Sequence, residues 1–428
     1  MRIARRERSL RRVGSGVEAA NDASCGEIVR GMGAEHVPNR STLPFHSDES
    51  WAGDEIDALR LFLDDAIAML PQLRAAYDGD RPDLFLYDIA GGPARLLATD
   101  WGVSAVQLSP TFVAWDGYED DMAETVAAMK ADPRGAEHYR TARAWVSDNG
   151  LPVDEGWFAR PERGLVLVPR VLQPNADRVG PQFTFVGPCL APRPEQGTWT
   201  RPADAEKVLL VSLGSTFTDH ADFHRRCIAG FGELPGWHVV LQIGKSVDPA
   251  ELGPVPESVE LHSWVPQLAI LEQADAFLTH GGMGGSVEGL WTGTPMIIAP
   301  QAVDQFGNAD ALVAAGVGRR VDSETVTATE LRAALFDLAG SADVAGRSAA
   351  IRTELREEGG AARAADLIEV ELARAVTTPA QRTEDLQRDQ VEQRYRPGCW
   401  SFPPLIKGEP AGRTGEQPYL SAGWGTPG

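Results

Sequence analysis

Hydrophobic and polar positions alternate along the middle of the chain in two distinct rhythms. From Glu55 to Tyr77, the residues Ile56, Leu59, Leu63, Ile67 and Leu70 recur at helical spacing. The pattern predicts a helix there, kinked or interrupted at Pro71. Leu84-Phe85-Leu86-Tyr87-Asp88 reads as a buried strand, Pro93 to Trp101 as a short helix, and Ala105 to Leu108 as the next strand. The second half repeats the rhythm: strands at Lys207–Leu213, Trp237–Ile243, Val259–His262, Ala276–Thr279 and Pro295–Ala299, with a helix over Ala221–Leu234. Strands alternating with helices predict βαβ units and a parallel sheet. Pro188 to Asp204 is rich in Pro and Gly and reads as a linker. Residues 1–23 show no strand-like run, and the chain beyond about 375 turns to Gln, Arg, Pro and Gly, as in a disordered tail.

Composition narrows the class. The chain has 428 residues, enough for two or three domains, each with its own core. Sixty-one acidic against forty basic residues give a formal net charge of −21, which argues against nucleic acid or anionic lipid as partner. The basic cluster MRIARRERSLRR is followed by no apolar run, so it does not read as a secretory signal. No stretch approaches the ~18–20 apolar residues of a membrane span. Cys25, Cys189, Cys227 and Cys399 lie far apart with no CxxC pair, and free thiols in the cytoplasm are expected. Composition alone describes a soluble, acidic, globular protein.

The chemistry concentrates between Trp264 and Asn308. A strand ending in His280 runs into Gly281-Gly282-Met283-Gly284-Gly285-Ser286, and a helix carrying Glu288 follows. Free N–H groups at a helix start, with glycines permitting close approach, suit a phosphate. His280 can add a donor, and Glu288 can accept from ribose hydroxyls. For the glycines alone, a ligand-free strand-to-helix turn explains the pattern equally well. Other motifs fail here: Val287 stands where a dinucleotide fingerprint needs its third Gly, a Walker A Lys is missing, and no Ser sits in G-x-S-x-G.

These residues resemble the donor-binding signature of the UDP-dependent glycosyltransferases, and within them the bacterial macrolide glycosyltransferases. The resemblance spans roughly residues 25 to 375 and rests on Trp264-Val265-Pro266-Gln267, His280-x-Gly282, Gly284-Gly285-Ser286, Glu288, Gly293-Thr294-Pro295 and Asp304-Gln305. It implies an α/β fold of the GT-B type, with two Rossmann-like doubly wound domains facing a cleft. The N-terminal domain would be incomplete. The implied plan is an atypical segment over 1–24, an acceptor domain over 25–187, a linker over 188–204, a donor domain over 205–375 and a tail over 376–428. Trp264, Val265 and Gln267 would meet the uracil, although Trp264 could equally be core, and Glu288 would hold the ribose. His280, Gly282, the Gly284–Ser286 N–H groups and Ser215 would bind the diphosphate, and Asp304 and Gln305 the sugar. Donors at a helix start would stabilise the charge that grows on departing UDP.

The implied reaction is inverting transfer of a hexose, glucose from UDP-glucose, to a hydroxyl of a macrolide-like, hydrophobic small molecule. Antibiotic resistance or secondary metabolism is the setting, a homodimer is left open, and no cofactor or metal is implied. Asp78-Gly79-Asp80 forms a D-x-D pair, but it lies before the Leu84 strand and reads as a turn. The family deprotonates its acceptor with a His from a Gly-His loop after the first strand, oriented by an acidic partner. Asp88 matches that partner, with a strand-end helix cap as its alternative. The first strand and its His have no counterpart, and neither His36 nor His46 matches the base. A misassigned start or a frame error is therefore expected, and the alternative function is a nucleotide-sugar-binding pseudoenzyme or inactive fragment. An epimerase acting on the nucleotide sugar is a weaker reading. Phe112 and Trp115 offer apolar surface to an acceptor, or else belong to the core.

Overall fold

The structure is a computed structural model that describes residues 17–43, 54–151, 157, 160–191, 193, 196–214, 219–302 and 304–377. The expectations for 1–16, for His46 and for the tail beyond 377 lie outside these residues. Two compact units divide the chain. Of the described residues, one takes those up to Val168, Asn175–Ala191 and Glu358–Thr377, and the other takes Pro169–Pro174 and those within Pro192–Glu357.

The first unit holds the helix Glu55–Tyr77, started by Asp54, whose carboxylate accepts the Asp57 N–H at 2.9 Å. Pro71 lies inside it, and the helix neither breaks nor stops there. An interior proline costs about 3 kcal/mol. Burial of Leu63, Leu70 and Leu73 on one face offsets that, at about 1.5–3 kcal/mol per side chain. β1 (Glu18–Asp22) pairs in parallel with β2 (Glu35–Asn39), joined by the helix Gly26–Gly31. A strand thus forms where the sequence shows none. EAAND has poor strand propensity, and pairing with β2 and packing of Ala20 and Val37 against the apolar cluster override it.

A second sheet of this unit runs β3 (Leu84–Tyr87), β4 (Ser104–Ser109), β5 (Gly164–Val166) and β6 (Phe183–Phe185), all parallel and in that spatial order. Among the described residues, no strand pairs with the edge of β3 away from β4. The last helix, Gly360–Thr377, buries Ala364 and Ile368 among Val106, Leu108, Leu165 and Val186. It therefore leaves the 205–375 segment to which the sequence assigned it.

The second unit is one six-stranded parallel sheet: β7 (Lys207–Ser212), β8 (Trp237–Gln242), β9 (Val259–His262), β10 (Ala276–Thr279), β11 (Met296–Ile298) and β12 (Gly318–Arg320). Its spatial order is β12-β11-β10-β7-β8-β9. Val208 to Val211 are all buried, as a strand covered on both faces requires. The order reverses between β7 and β10. No helix among the described residues is long and apolar enough to cross a membrane.

His224 lies fully buried beneath this sheet, and neither ring nitrogen has a hydrogen-bond partner. Burial pushes His138, His224 and His280 down to about 4. The unfolded chain takes up these protons near pH 6.5 and the folded chain only near 4, so stability is full above 6.5 and falls as pH drops toward 4. His224→Leu removes two unsatisfied atoms and is expected to raise unfolding free energy by about 1–3 kcal/mol at pH 7. It should also flatten the loss toward pH 5. Urea unfolding at both pH values measures this; an unchanged or lower midpoint would count against it.

Candidate functional site

Ligands of doubly wound sheets bind beyond the carboxyl ends of the strands, where the order reverses. Here that point lies between β7 and β10. β7 exits into Leu213-Gly214, and β10 into His280-Gly281-Gly282. The imidazole of His280 is clamped between the two turns. A Cβ on Gly214 would stand 2.8 Å from its Cε1, and one on Gly282 would overlap Nε2. Gly214 also sits at φ 81°, so a side chain there would be strained twice over. Desolvation holds His280 near 4 and hence neutral at pH 7, and its buried Nδ1 has no partner among the described residues. Ser215 lies outside the described residues.

The helix Met283–Thr292 begins directly after this ring. Its N-cap is Gly282, with no side-chain cap hydrogen bond, and its first helical bond runs from the Ser286 N–H to the Gly282 carbonyl at 3.0 Å. The N–H groups of Met283, Gly284 and Gly285 precede that bond and point out of the helix start, at the positive end of its dipole. A Cβ on Gly284 would meet nothing within 4 Å, so this is the open side. Ser286 Oγ is buried without a partner. Backbone donors, a neutral imidazole and a hydroxyl thus lie within one short stretch, His280 to Ser286. An oxyanion fits that set.

Beyond it lies a buried carboxylate. Glu288, 5% exposed, accepts from Gln267 Nε2 on Oε2 at 2.8 Å and pairs on Oε1 with Arg193 Nη1 at 2.6 Å. Gln267 opens the helix Gln267–Leu271, and Val265 just before it is buried. Trp264 is 48% exposed, which removes the core alternative and leaves a bare indole face. At the start of the helix Asp304–Ala314, burial pushes the Asp304 carboxyl up to about 6, although the Asn308 amide donates to it at 3.0 Å. The same amide donates to the Gly281 carbonyl at 2.9 Å, tying this helix to the glycine turn. Gln305 is buried, and its side-chain oxygen accepts from the N–H groups of Gln301 and Ala302. Only its amide nitrogen is left for a ligand.

The first unit carries the remaining candidates. Asp88 follows β3, and its carboxylate accepts the Ala90 N–H at 3.0 Å. The following helix is capped by Gly91 with no side chain, so Asp88 braces the turn and is not the helix cap. Burial raises its pKa against the pull of the Ala90 N–H. No histidine of the described residues bonds to it. His36 lies on β2, where Nε2 donates to the Asn21 carbonyl at 3.2 Å. Phe112 and Trp115 are buried, and the Trp115 indole donates to Asp121 at 2.6 Å. They present no open face to an acceptor, because a buried indole must find a partner and the 116–121 turn supplies it. Asp78-Gly79-Asp80 forms the turn after the long helix, with Asp78 paired to Arg81 at 3.0 Å.

Two members of the site have no sequence signal of their own weight. Asn308 stands four residues after Asp304, a helical spacing that could have found it. Arg193 lies in the stretch read as linker, and nothing in its surroundings points to Glu288.

The chain is similar to known proteins over most of its length. The family profile described as "UDP-glucoronosyl and UDP-glucosyl transferase" matches residues 164–341. Oleandomycin glycosyltransferase of Streptomyces antibioticus is 53% identical over 349 residues, covering 80% of this chain and 81% of that protein. The chain belongs to the UDP-glycosyltransferase family. An NDP-glycosyltransferase of Bacillus licheniformis is 32% identical, covering 82% and 88%. Among solved structures, the kitacinnamycin glycosyltransferase is 54% identical with a TM-score of 0.79, over 85% of this chain and 93% of that one. The calicheamicin glycosyltransferase is 30% identical with a TM-score of 0.74, over 86% and 94%. The fold of this UDP-glycosyltransferase is thus GT-B, and these relatives are all named as transferases. None of them favours the pseudoenzyme alternative.

The glycines of the turn separate folding from binding. Gly282→Ala drives a methyl into His280 and is expected to cost about 1–3 kcal/mol of stability. Gly284→Ala meets open space, removes a helix-interior glycine, and should leave stability equal or raise it by up to ~1 kcal/mol. Thermal unfolding of both variants without ligand checks the order; a Gly284→Ala loss as large as that of Gly282→Ala would refute the geometry.

Proposed function

We propose that this UDP-glycosyltransferase moves a hexose, glucose from UDP-glucose, to a hydroxyl of a macrolide-like small molecule, with inversion at the anomeric carbon. One observation carries the reading. At the switch point, unpaired helix-start N–H groups, the His280 imidazole, the Glu288 carboxylate and the bare Trp264 face occur together. Diphosphate, ribose and base of one UDP need those three kinds of surface. The name of the 53% identical relative supports a macrolide acceptor.

In this mechanism the acceptor oxygen attacks the anomeric carbon as UDP leaves from the opposite face. Negative charge grows on the diphosphate, and fixed donors at Met283–Gly285 and His280 meet it without reorganising. The proposal assigns that charge to the protein's own donors and asks for no metal. Asp304 and the Gln305 amide hold sugar hydroxyls. Asp88 serves on the acceptor side, where its raised pKa suits a group that takes part in proton removal.

Calorimetry with UDP and UDP-glucose, beside a turnover assay with a macrolide, tests the whole. Both ligands should bind and glucoside should form. Binding without product would overturn the transfer, and no binding would overturn the donor site. Asp88→Asn is expected to lower turnover by about 10²–10⁴-fold with UDP affinity unchanged. Asp304 protonates as pH falls through about 6 and then loses acceptor capacity for a sugar hydroxyl. UDP-glucose affinity should therefore fall below pH 6 more steeply than UDP affinity does; parallel titrations would refute the sugar contact.

A further inference from the structure

A carboxylate that receives ribose must be reachable, yet the Glu288 side chain is only 6% exposed. Its two oxygens are both engaged. Gln267 donates to Oε2 at 2.8 Å, and Arg193 Nη1 stands 2.6 Å from Oε1 with its own side chain 21% exposed. Gln267 is placed by its helix directly after Val265-Pro266. Arg193 comes instead from the Pro-rich stretch distant in sequence, and it is more exposed than the carboxylate it covers. A ribose offers two neighbouring hydroxyls, and both donate to one carboxylate most directly when each takes one oxygen. Arg193 already fills one of those places.

We propose that Arg193 is a displaceable cap on the ribose-binding carboxylate of the nucleotide-free protein. A nucleoside diphosphate with a 2′,3′-diol must turn Arg193 away from Oε1 before both hydroxyls reach Glu288. The guanidinium satisfies a buried carboxylate while the site is empty, since an unpaired one would be costly. The incoming diol then takes its place with two charge-assisted hydrogen bonds. Part of the affinity of the diol is thus consumed in removing the cap. This inference rests on the donor-site reading above.

The discriminating ligand is one without the diol. In calorimetry, Arg193→Met is expected to tighten UDP about 5–10-fold and to leave 2′,3′-dideoxyuridine diphosphate unchanged. Arg193→Lys should fall between wild type and Met. Arg193→Met combined with Glu288→Gln should lose the gain. If Arg193→Met weakens UDP, the arginine helps to hold the nucleotide and the cap is overturned. Equal changes for UDP and the dideoxy ligand would mean a general effect of charge, and no change would mean an idle contact; either overturns it too. Failure of wild type and all variants to bind UDP would overturn the donor site and the cap together. UDP binding indifferent to Arg193 would overturn the cap alone.

Discussion

The constraint on which this site depends is the thickness of one imidazole ring. His280 lies between Gly214, after β7, and Gly282, after β10, and neither position has room for a Cβ. The reversal of strand order opens the crevice, and the two glycines let a side chain lie flat inside it. The ring is dry enough to stay neutral at pH 7, so it offers one N–H without a permanent charge. The helix start follows within three residues, and its donors share the same opening. Asn308 then ties the next helix to the Gly281 carbonyl, which carries Asp304 to the edge of the same place. The helix-start N–H groups, the Glu288 carboxylate and Asp304 are thus set by one turn and its neighbours.

Much of the donor unit was legible because its strands are continuous apolar runs and its chemistry sits in contiguous residues. Val259–His262 and Ala276–Thr279 were read to the residue, the second as an unbroken buried apolar run and the first, an edge strand, as alternating apolar and polar positions. Trp264, Gln267, His280 and Glu288 share one stretch, within which the structure joins Gln267 to Glu288. Arg193 was illegible because an ion pair across a long loop leaves no periodic trace.

The first unit was harder to read, for a different reason. Its short β1 is polar and alanine-rich, and it is a strand only because β2 pairs with it. Trp115 looked like a ligand surface in sequence, but whether an aromatic faces outward depends on a partner such as Asp121, which local pattern does not reveal. Pro71 failed to end its helix because tertiary burial outweighed a local rule. Local signals lose where packing decides.

The return of the last helix has a consequence for how the molecule is made. Val106, Leu108, Leu165 and Val186 find Ala364 and Ile368 only after the whole donor unit has been synthesised. A nascent chain emerging from the ribosome would expose that apolar face throughout translation of the intervening segment. The closing of the first unit therefore waits on residues 360–377, which follow the whole of the intervening segment.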